Sequence, residues 1–299
     1  MRYICAMLFM ICCISGMRVN AQEDKIYYVR QDGTGDFTSI QDGVNQVEDG
    51  AVLIITPGVY NESVTVTDKT IRLIGTNREK CIIMASAENY HNIPLTIGAG
   101  MVSNLTIYGR NLSGEYIQPV SLNENTAYEW QDTFPGYAIH IDQDYSYGRE
   151  LIIDNCKVIS DSNQCIGIGC RGKSTIQISN SELIANGQGG CIYLHNNSNP
   201  ELDGDAQFIM KNCRLTNYKC PYIMALHSMG KSNPLYLTFE NVMASTVAYE
   251  DMTCYNTWNE NTWFDVRALQ SYAVKQYLQE NGYYSAAAGQ LLHTYSVAQ

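Results

Sequence analysis

Short runs of alternating apolar and polar residues recur along most of the chain. Residues 26–31 (IYYVRQ), 51–58 (AVLIITPG) and the later SVTV and TIRLIG each read as a strand of a few residues, closed by proline, glycine or polar residues. From residue 102 the runs share one grammar. VSNLTIYG (102–109), LIIDNCKVIS (151–160), IQISNSELIA (176–185), FIMKNCRLTN (208–217) and LTFENVMAS (237–245) each carry an alternating strand into an asparagine, and then into a second short strand. The shared asparagines are Asn104, Asn155, Asn180, Asn212 and Asn241, and after Asn155 the steps are 25, 32 and 29 residues. A second set lies between them: AIHID (138–142), CIGIG (165–169), CIYLH (191–195) and YIMALH (222–227).

Two interleaved strand sets at one coil length predict a parallel β-helix, in which each coil pairs with the coils above and below. Asparagine suits a repeated corner because it tolerates left-handed backbone angles and its amides can form ladders. A β-sandwich of short strands is the alternative, but its strands need no matched corners. The open ends of a β-helix must be covered. Ile40, Val44 and Val47 follow Ser39 at helical spacing, which predicts a capping helix over the first coil. Near the other end, residues 265–282 place Val266, Leu269, Ala273, Tyr277 and Leu278 on one helical face, with Asp265 as its cap and Gly282 as its stop. Residues 110–135 break the rhythm as a long polar and aromatic insertion.

Composition adds three constraints. The chain has 299 residues, 22 of them tyrosine, with a net charge of −11, which argues against nucleic-acid binding because phosphate contacts need a basic surface. Residues 1–21 read as a signal peptide: an early Arg2, the apolar run ICAMLFMICCISGM, and Val19 and Ala21 at a cleavage site. The run is short for a membrane span, so no stable membrane insertion is expected after cleavage, and the chain is expected to be secreted, periplasmic or at the cell surface. Outside this leader eight of the 11 cysteines remain, none in CxxC spacing, which permits disulfides and disfavours zinc. Cys165 and Cys191 occupy matching positions of neighbouring coils; Cys156 and Cys213 lie two coils apart, too far to bond.

The opening VRQDGTGDFTSIQDGVNQV resembles that of the pectinesterases, within the pectin-lyase-like β-helix superfamily, and ITPGVYNESVTV and IRLIGTNREKCII continue it in order. YAIHID with LIIDNCKVIS, and ALHSMGKSNPLYLTFENVMAS, resemble later blocks. The resemblance implies an all-β, right-handed single-stranded parallel β-helix over residues 22–299, with an N-terminal capping helix and a C-terminal helical tail from about 265. It also implies a mechanism: an aspartate nucleophile held by an arginine, a second aspartate as acid/base, and glutamine donors for the oxyanion. Those positions fall here on Tyr137, Ser162, Asn163, Gly190 or Cys191, and the HSMG run of His227–Gly230, which has no arginine. Every one is substituted.

The same region offers residues for replacement chemistry. Asp142, Gly169, His195 and either Leu226 or His227 fall near one register, with Arg171 close by, and Asp161 and Asn163 lie beside the expected aspartate; Asp142, Asp161, Asn163, Arg171, His195 and His227 are therefore the catalytic candidates. Tyr137, Tyr193 and Trp130 are candidates for stacking on sugar rings. No metal or other cofactor is expected; Glu201, Asp203 and Asp205, at alternate positions of an acidic loop, are where calcium would bind if any did. The expected function is contact with a pectin-like polysaccharide by a catalytically degenerate, glycan-binding relative. The alternatives are an active carbohydrate esterase or polysaccharide lyase with a rearranged site, and a structural or adhesin-like surface module.

Overall fold

The structure is a computed structural model that describes residues 25–84, 93–110, 137–161, 164–170, 172–187, 190–196, 204–218, 222–228, 235–246, 253–257 and 262–267. The expected leader at 1–21 lies outside them.

Strand β1 (Ile26–Val29) and helix α1 (Ile40–Gln46) precede the first full coil, which comprises β2 (Val52–Ile55), β3 (Gly58–Asn61) and β4 (Val64–Val66). The next coil is β5 (Ile71–Gly75), β6 (Cys81–Met84) and β7 (Leu95–Ile97), followed by β8 (Gly100–Ser103), β9 (Thr106–Gly109) and β10 (Ile139–Ile141), after which α2 (Gln143–Ser146) is inserted. Four further coils repeat the pattern. They are β11 (Glu150–Asp154), β12 (Lys157–Ser160) and β13 (Ile166–Cys170), then β14 (Thr175–Ser179), β15 (Glu182–Ala185) and β16 (Ile192–Asn196). Next come β17 (Ala206–Lys211), β18 (Arg214–Asn217) and β19 (Tyr222–Ser228), and last β20 (Leu235–Glu240), β21 (Met243–Thr246) and β22 (Thr253–Thr257). Strand β23 (Thr262–Arg267) opens another turn. The strands stack into three parallel sheets, one of nine strands starting at β1 and two of seven starting at β3 and β4, called here the first, second and third sheets. This is the expected parallel β-helix.

Alternation along each strand sends every second side chain inward. Register then stacks like on like. In the first sheet Leu53, Leu73, Val102, Ile153, Ile178, Met210 and Phe239 form one continuous buried column. In the third sheet Val66, Ile97, Ile141, Ile168 and Leu194 form another. Each such side chain gains about 1.5–3 kcal/mol from burial, and a one-residue slip would turn the whole column outward, so the columns fix the register.

The asparagine corners lie between the first and second sheets. Asn104, Asn155, Asn180, Asn212 and Asn241 all have positive φ, between 48° and 55°. Their amides form a ladder, Asn241 to Asn212 at 2.8 Å and Asn212 to Asn180 at 3.3 Å, with Asn155 donating to Asn104 at 2.5 Å. The ladder breaks once. Arg78 donates to Asn155 Oδ1 at 3.3 Å, and Asn180 instead donates to Asp154 Oδ1 at 2.7 Å.

The opening motif covers the leading edge of each sheet by a different device. At the first sheet, Asp32 Oδ1 accepts from Thr34 N and Oγ1, and Gly33 takes φ 78°, so the chain doubles back. Gly35 then passes so close that an added Cβ would lie 2.5 Å from Tyr28 O. The return brings Asp36 Oδ2 to Tyr28 N at 2.7 Å, Asp36 N and Phe37 N to Tyr28 O, and Arg30 N to Phe37 O. At the second sheet, Gln31 Nε2 donates to Val59 O of edge strand β3 at 2.8 Å. At the third, the Gln41 amide acts as one rung of a strand: Thr65 N of edge strand β4 donates to Oε1 at 2.7 Å, and Nε2 donates to Thr65 O at 3.4 Å.

Helix α1 is fastened over this end by the coil beneath it. Ser39 Oγ accepts from Asp42 N as the expected N-cap. Glu62 accepts from Ser39 Oγ at 2.8 Å and from Ile40 N and Gln41 N at 2.9 Å each, and Lys69 Nζ donates to Val44 O and Val47 O at the other end. A carboxylate at the N-terminus and an ammonium at the C-terminus match the helix dipole. The predicted C-terminal helix needs correction at its start. Thr262–Arg267 is strand β23, paired in parallel with β20, because the edge of β20 offers a ladder that the local helical pattern does not outweigh; residues 268–299 lie outside the described residues.

Charge-assisted bonds exceed neutral ones. Glu62→Ala should therefore cost about 2–3 kcal/mol, against about 1–2 kcal/mol for Gln41→Ala, measured by urea unfolding. Gln41→Ala, which bares β4, should in addition raise self-association in light scattering.

Candidate functional site on the outer face of the third sheet

The positions where the resemblance places catalytic groups converge on the third sheet. Tyr137 and Ala138 lead into β10, residues 162–163 lead into β13, Gly190 and Cys191 lead into β16, and His227 lies on β19. The outward row across these strands is Thr96, His140, Gly167 and Tyr193.

Rings occupy the centre of that row. Tyr137 turns back over the neighbouring strand and lies above Gly167, where an added Cβ would sit 2.6 Å from its Cζ. Its ring is nearly parallel to His140 on one side and Tyr193 on the other, at 5.9 Å and 6.5 Å between centroids and 13° between planes in both pairs. Spacings in this range are favourable offset stacks. Tyr137 is 8% exposed and Tyr193 1%, so both phenols form a packed floor rather than an open platform for a sugar ring. Burial holds the His140 imidazole below its ordinary pKa, with Asp142 opposing the shift, which disfavours the charged form of the ring beside Tyr137.

The two carboxylates proposed from sequence are both engaged. Asp142 caps α2, its Oδ1 accepting from Tyr145 N at 2.7 Å. Asp161 accepts from Tyr108 Oη at 2.6 Å and from Asn186 Nδ2 at 3.0 Å. Burial and that bond push the Tyr108 phenol up to about 12. The strand register places Gly169, His195 and His227 in one row, with Asp142 one residue beyond Ile141, the partner of Ile168. Asn163, Arg171 and Trp130 lie outside the described residues, as do Glu201 and Asp203 of the acidic loop. Among the described residues no group of three His, Cys, Asp or Glu side chains is arranged to hold a metal ion.

A cationic, aromatic lip borders the floor where the third sheet turns into the first. Helix α2 bridges coils: Tyr145 packs against Gly98 of one, and Ser146 Oγ donates to Gly169 O of another at 3.5 Å. Arg149 stacks its guanidinium over Tyr145 at 4.3 Å and donates to Tyr145 O and Tyr147 O, while the Lys173 ammonium lies 5.7 Å from the Tyr147 ring centroid. Both residues are exposed, and the rings beneath limit the motion of their cationic heads. Sequence reasoning passed over this lip and over His140. Alternation in AIHID already placed His140 outward, and the glycines of IGIG signalled a close approach.

Solved structures of this architecture agree with the geometry. The pectin methylesterase from carrot superposes with a TM-score of 0.53 at 13% identity, covering 81% of this chain and 72% of that one. The pectin methylesterase PemA from Erwinia chrysanthemi gives 0.52 at 16% identity, over 79% and 70% of the two chains. The chain has the fold of the pectin methylesterases. A pectin methylesterase solved in complex with a hexasaccharide gives 0.51, also at 16% identity, over 79% of this chain and 71% of that one. Among curated proteins, the probable pectinesterase/pectinesterase inhibitor 23 of Arabidopsis thaliana is 30% identical over 133 residues. That stretch is 42% of this chain, and the match spans 22% of the length of that relative. No family model matches the chain. Among the described residues no helix is long and apolar enough to cross a membrane.

Gly167→Ala should drive its methyl into the Tyr137 ring, cost about 1–3 kcal/mol in urea unfolding, and change the near-ultraviolet dichroism of the stacked phenols. Because the folded His140 pKa lies below the unfolded value, its contribution to stability is complete above 6.5 and is lost as pH falls below that value. The acid limb of thermal stability should thus be shallower in His140→Gln, read as melting temperature from pH 7 down to about 4.

Proposed function

We propose that this protein is an exported, glycan-binding relative of the pectin methylesterases that has lost their ester chemistry and contacts a pectin-like polysaccharide. The observation that carries the reading is the exposed lip, Arg149 stacked over Tyr145 and Lys173 beside Tyr147, which borders the packed rings of Tyr193, Tyr137 and His140 on the sheet toward which the catalytic positions of the resemblance converge. Nucleophilic attack on an ester needs a carboxylate held ionised and free to reach the carbonyl, with aimed donors for the oxyanion. Asp142 is committed to a helix cap and Asp161 to Tyr108 and Asn186.

Binding places smaller demands on the same surface. Arg149 and Lys173 offer donors held in place by tyrosine rings, suited to sugar hydroxyls, ester carbonyls and the occasional uronate carboxylate. The net charge of −11 disfavours a densely anionic chain, so a methyl-esterified polymer is the better partner.

The purified protein, incubated with highly esterified pectin, should release neither methanol nor unsaturated product, with or without calcium. It should be retained on immobilised esterified pectin more strongly than on polygalacturonate, and Arg149→Ala should weaken retention about 3- to 10-fold. Methanol release would overturn the degenerate reading; passage through both columns without delay would overturn glycan binding.

A further inference from the structure

Cys81, Cys156, Cys165, Cys170, Cys191 and Cys213 are all buried and all free thiols. Most have a plain structural setting. Cys81 Sγ donates to Ile55 O, Cys156 Sγ to Val102 O and Cys213 Sγ to Ile178 O. Cys156 and Cys213 share a corner but are separated by the Ser181 coil, since Ser181 Oγ accepts from Cys156 N and Arg214 N donates to Ser181 O.

Cys165 and Cys191 differ. Each enters its strand of the third sheet at the same step, one residue before the paired Ile166 and Ile192. The backbones are joined on both sides of them, Cys165 N donating to Gly190 O at 3.3 Å and Ile166 N to Cys191 O at 3.1 Å. Both side chains are completely buried, and the Cys191 thiol donates to Leu183 O at 3.7 Å and to Thr216 O at 3.4 Å. Parallel neighbours lie about 4.8 Å apart, inside the Cα range over which a disulfide closes. Both residues sit at the bend into the strand rather than within it, where small backbone adjustment is available.

We propose that Cys165 and Cys191 are a disulfide-forming pair that staples the coil of β13 to the coil of β16. The two thiols give up two protons and two electrons to a small-molecule disulfide, through a mixed-disulfide intermediate, and that disulfide leaves as two thiols. Burial and the neighbouring sulfur hold the Cys165 thiol well above its ordinary pKa, so the folded Cys165 thiol is a poor nucleophile. Exchange therefore proceeds while the coil is open, during folding, and the folded protein then shields the bond from reductant. The bond closes a loop containing β14 and β15, which restricts the unfolded chain. It lies two residues before Gly167 on one strand and two before Tyr193 on the next, so it fixes the two strands between which the Tyr137 ring is seated. The proposal does not depend on the glycan reading.

The test is refolding of the full chain in a buffer of oxidised and reduced glutathione, against refolding with reductant alone. Both samples are then alkylated, digested and mapped by mass spectrometry, and their melting temperatures compared. A linked peptide pair containing Cys165 and Cys191, with a melting temperature raised by several degrees, is expected. Cys165→Ala and Cys191→Ala should each abolish the rise, whereas Cys170→Ala should retain it. Alkylation of both residues in the oxidised sample, a link from either to another cysteine, or a rise that survives both substitutions would overturn the proposal. Peptide mapping of the unsubstituted chain decides the matter even if a variant fails to fold.

Discussion

Every strand of a parallel β-helix takes its hydrogen bonds from the coils on either side, so the first coil has a row of donors and acceptors facing nothing. The unpaired edge costs stability and invites a second chain to pair with it. Here the opening motif answers all three sheets within about sixteen residues, with two kinds of group. The first sheet is met by backbone, folded back through Gly33 and Gly35. The second and third are met by the glutamine amides of Gln31 and Gln41, which carry a donor and an acceptor in the geometry of a peptide. Glu62 and Lys69, from the coil below, then hold the helix that delivers Gln41. The motif belongs to the scaffold's edge.

With the edge closed, the interior and the exterior of the coils become nearly independent. The inward columns and the asparagine corners fix the register, and neither restricts what an outward row must be. That separation explains how the chain shares the architecture of pectin methylesterases at 13% to 16% identity. It also explains how an outward row can fill with Tyr137, His140 and Tyr193 at no cost to the fold. Gly167 is the enabling residue, because any side chain there would occupy the space of the Tyr137 ring.

What the sequence revealed follows the range of each interaction. The asparagine corners were legible because the cause is local, a left-handed residue at a fixed point of each coil. The helix cap at Ser39 was legible for the same reason. The interruption of the ladder by Arg78 was not, because it reaches Asn155 across 77 residues. Asp161 looked free in sequence, yet its partner Tyr108 lies 53 residues earlier. Tyr137 was read as a sugar-facing ring, but its burial depends on Gly167 and Tyr193, which belong to two later coils. At TWFDVR the local pattern favoured a helix start, and pairing with β20 prevailed.

The two engaged aspartates bear most directly on whether either could act as a nucleophile. Each oxygen of Asp161 accepts a hydrogen bond, from Tyr108 or Asn186, so attack on an ester would have to compete with those bonds. Each partly buried partner left unsatisfied costs about 1–3 kcal/mol, so the carboxylate would begin from a ground state already stabilised against reaction. An oriented nucleophile works in the opposite sense, with its partners holding it toward the substrate. Asp142 faces the same conflict, because releasing Tyr145 N would uncap α2 and loosen the support beneath Arg149. On the proposed reading, the bonds that hold the binding lip and the corner beside the floor in shape are the bonds that keep these carboxylates from acting.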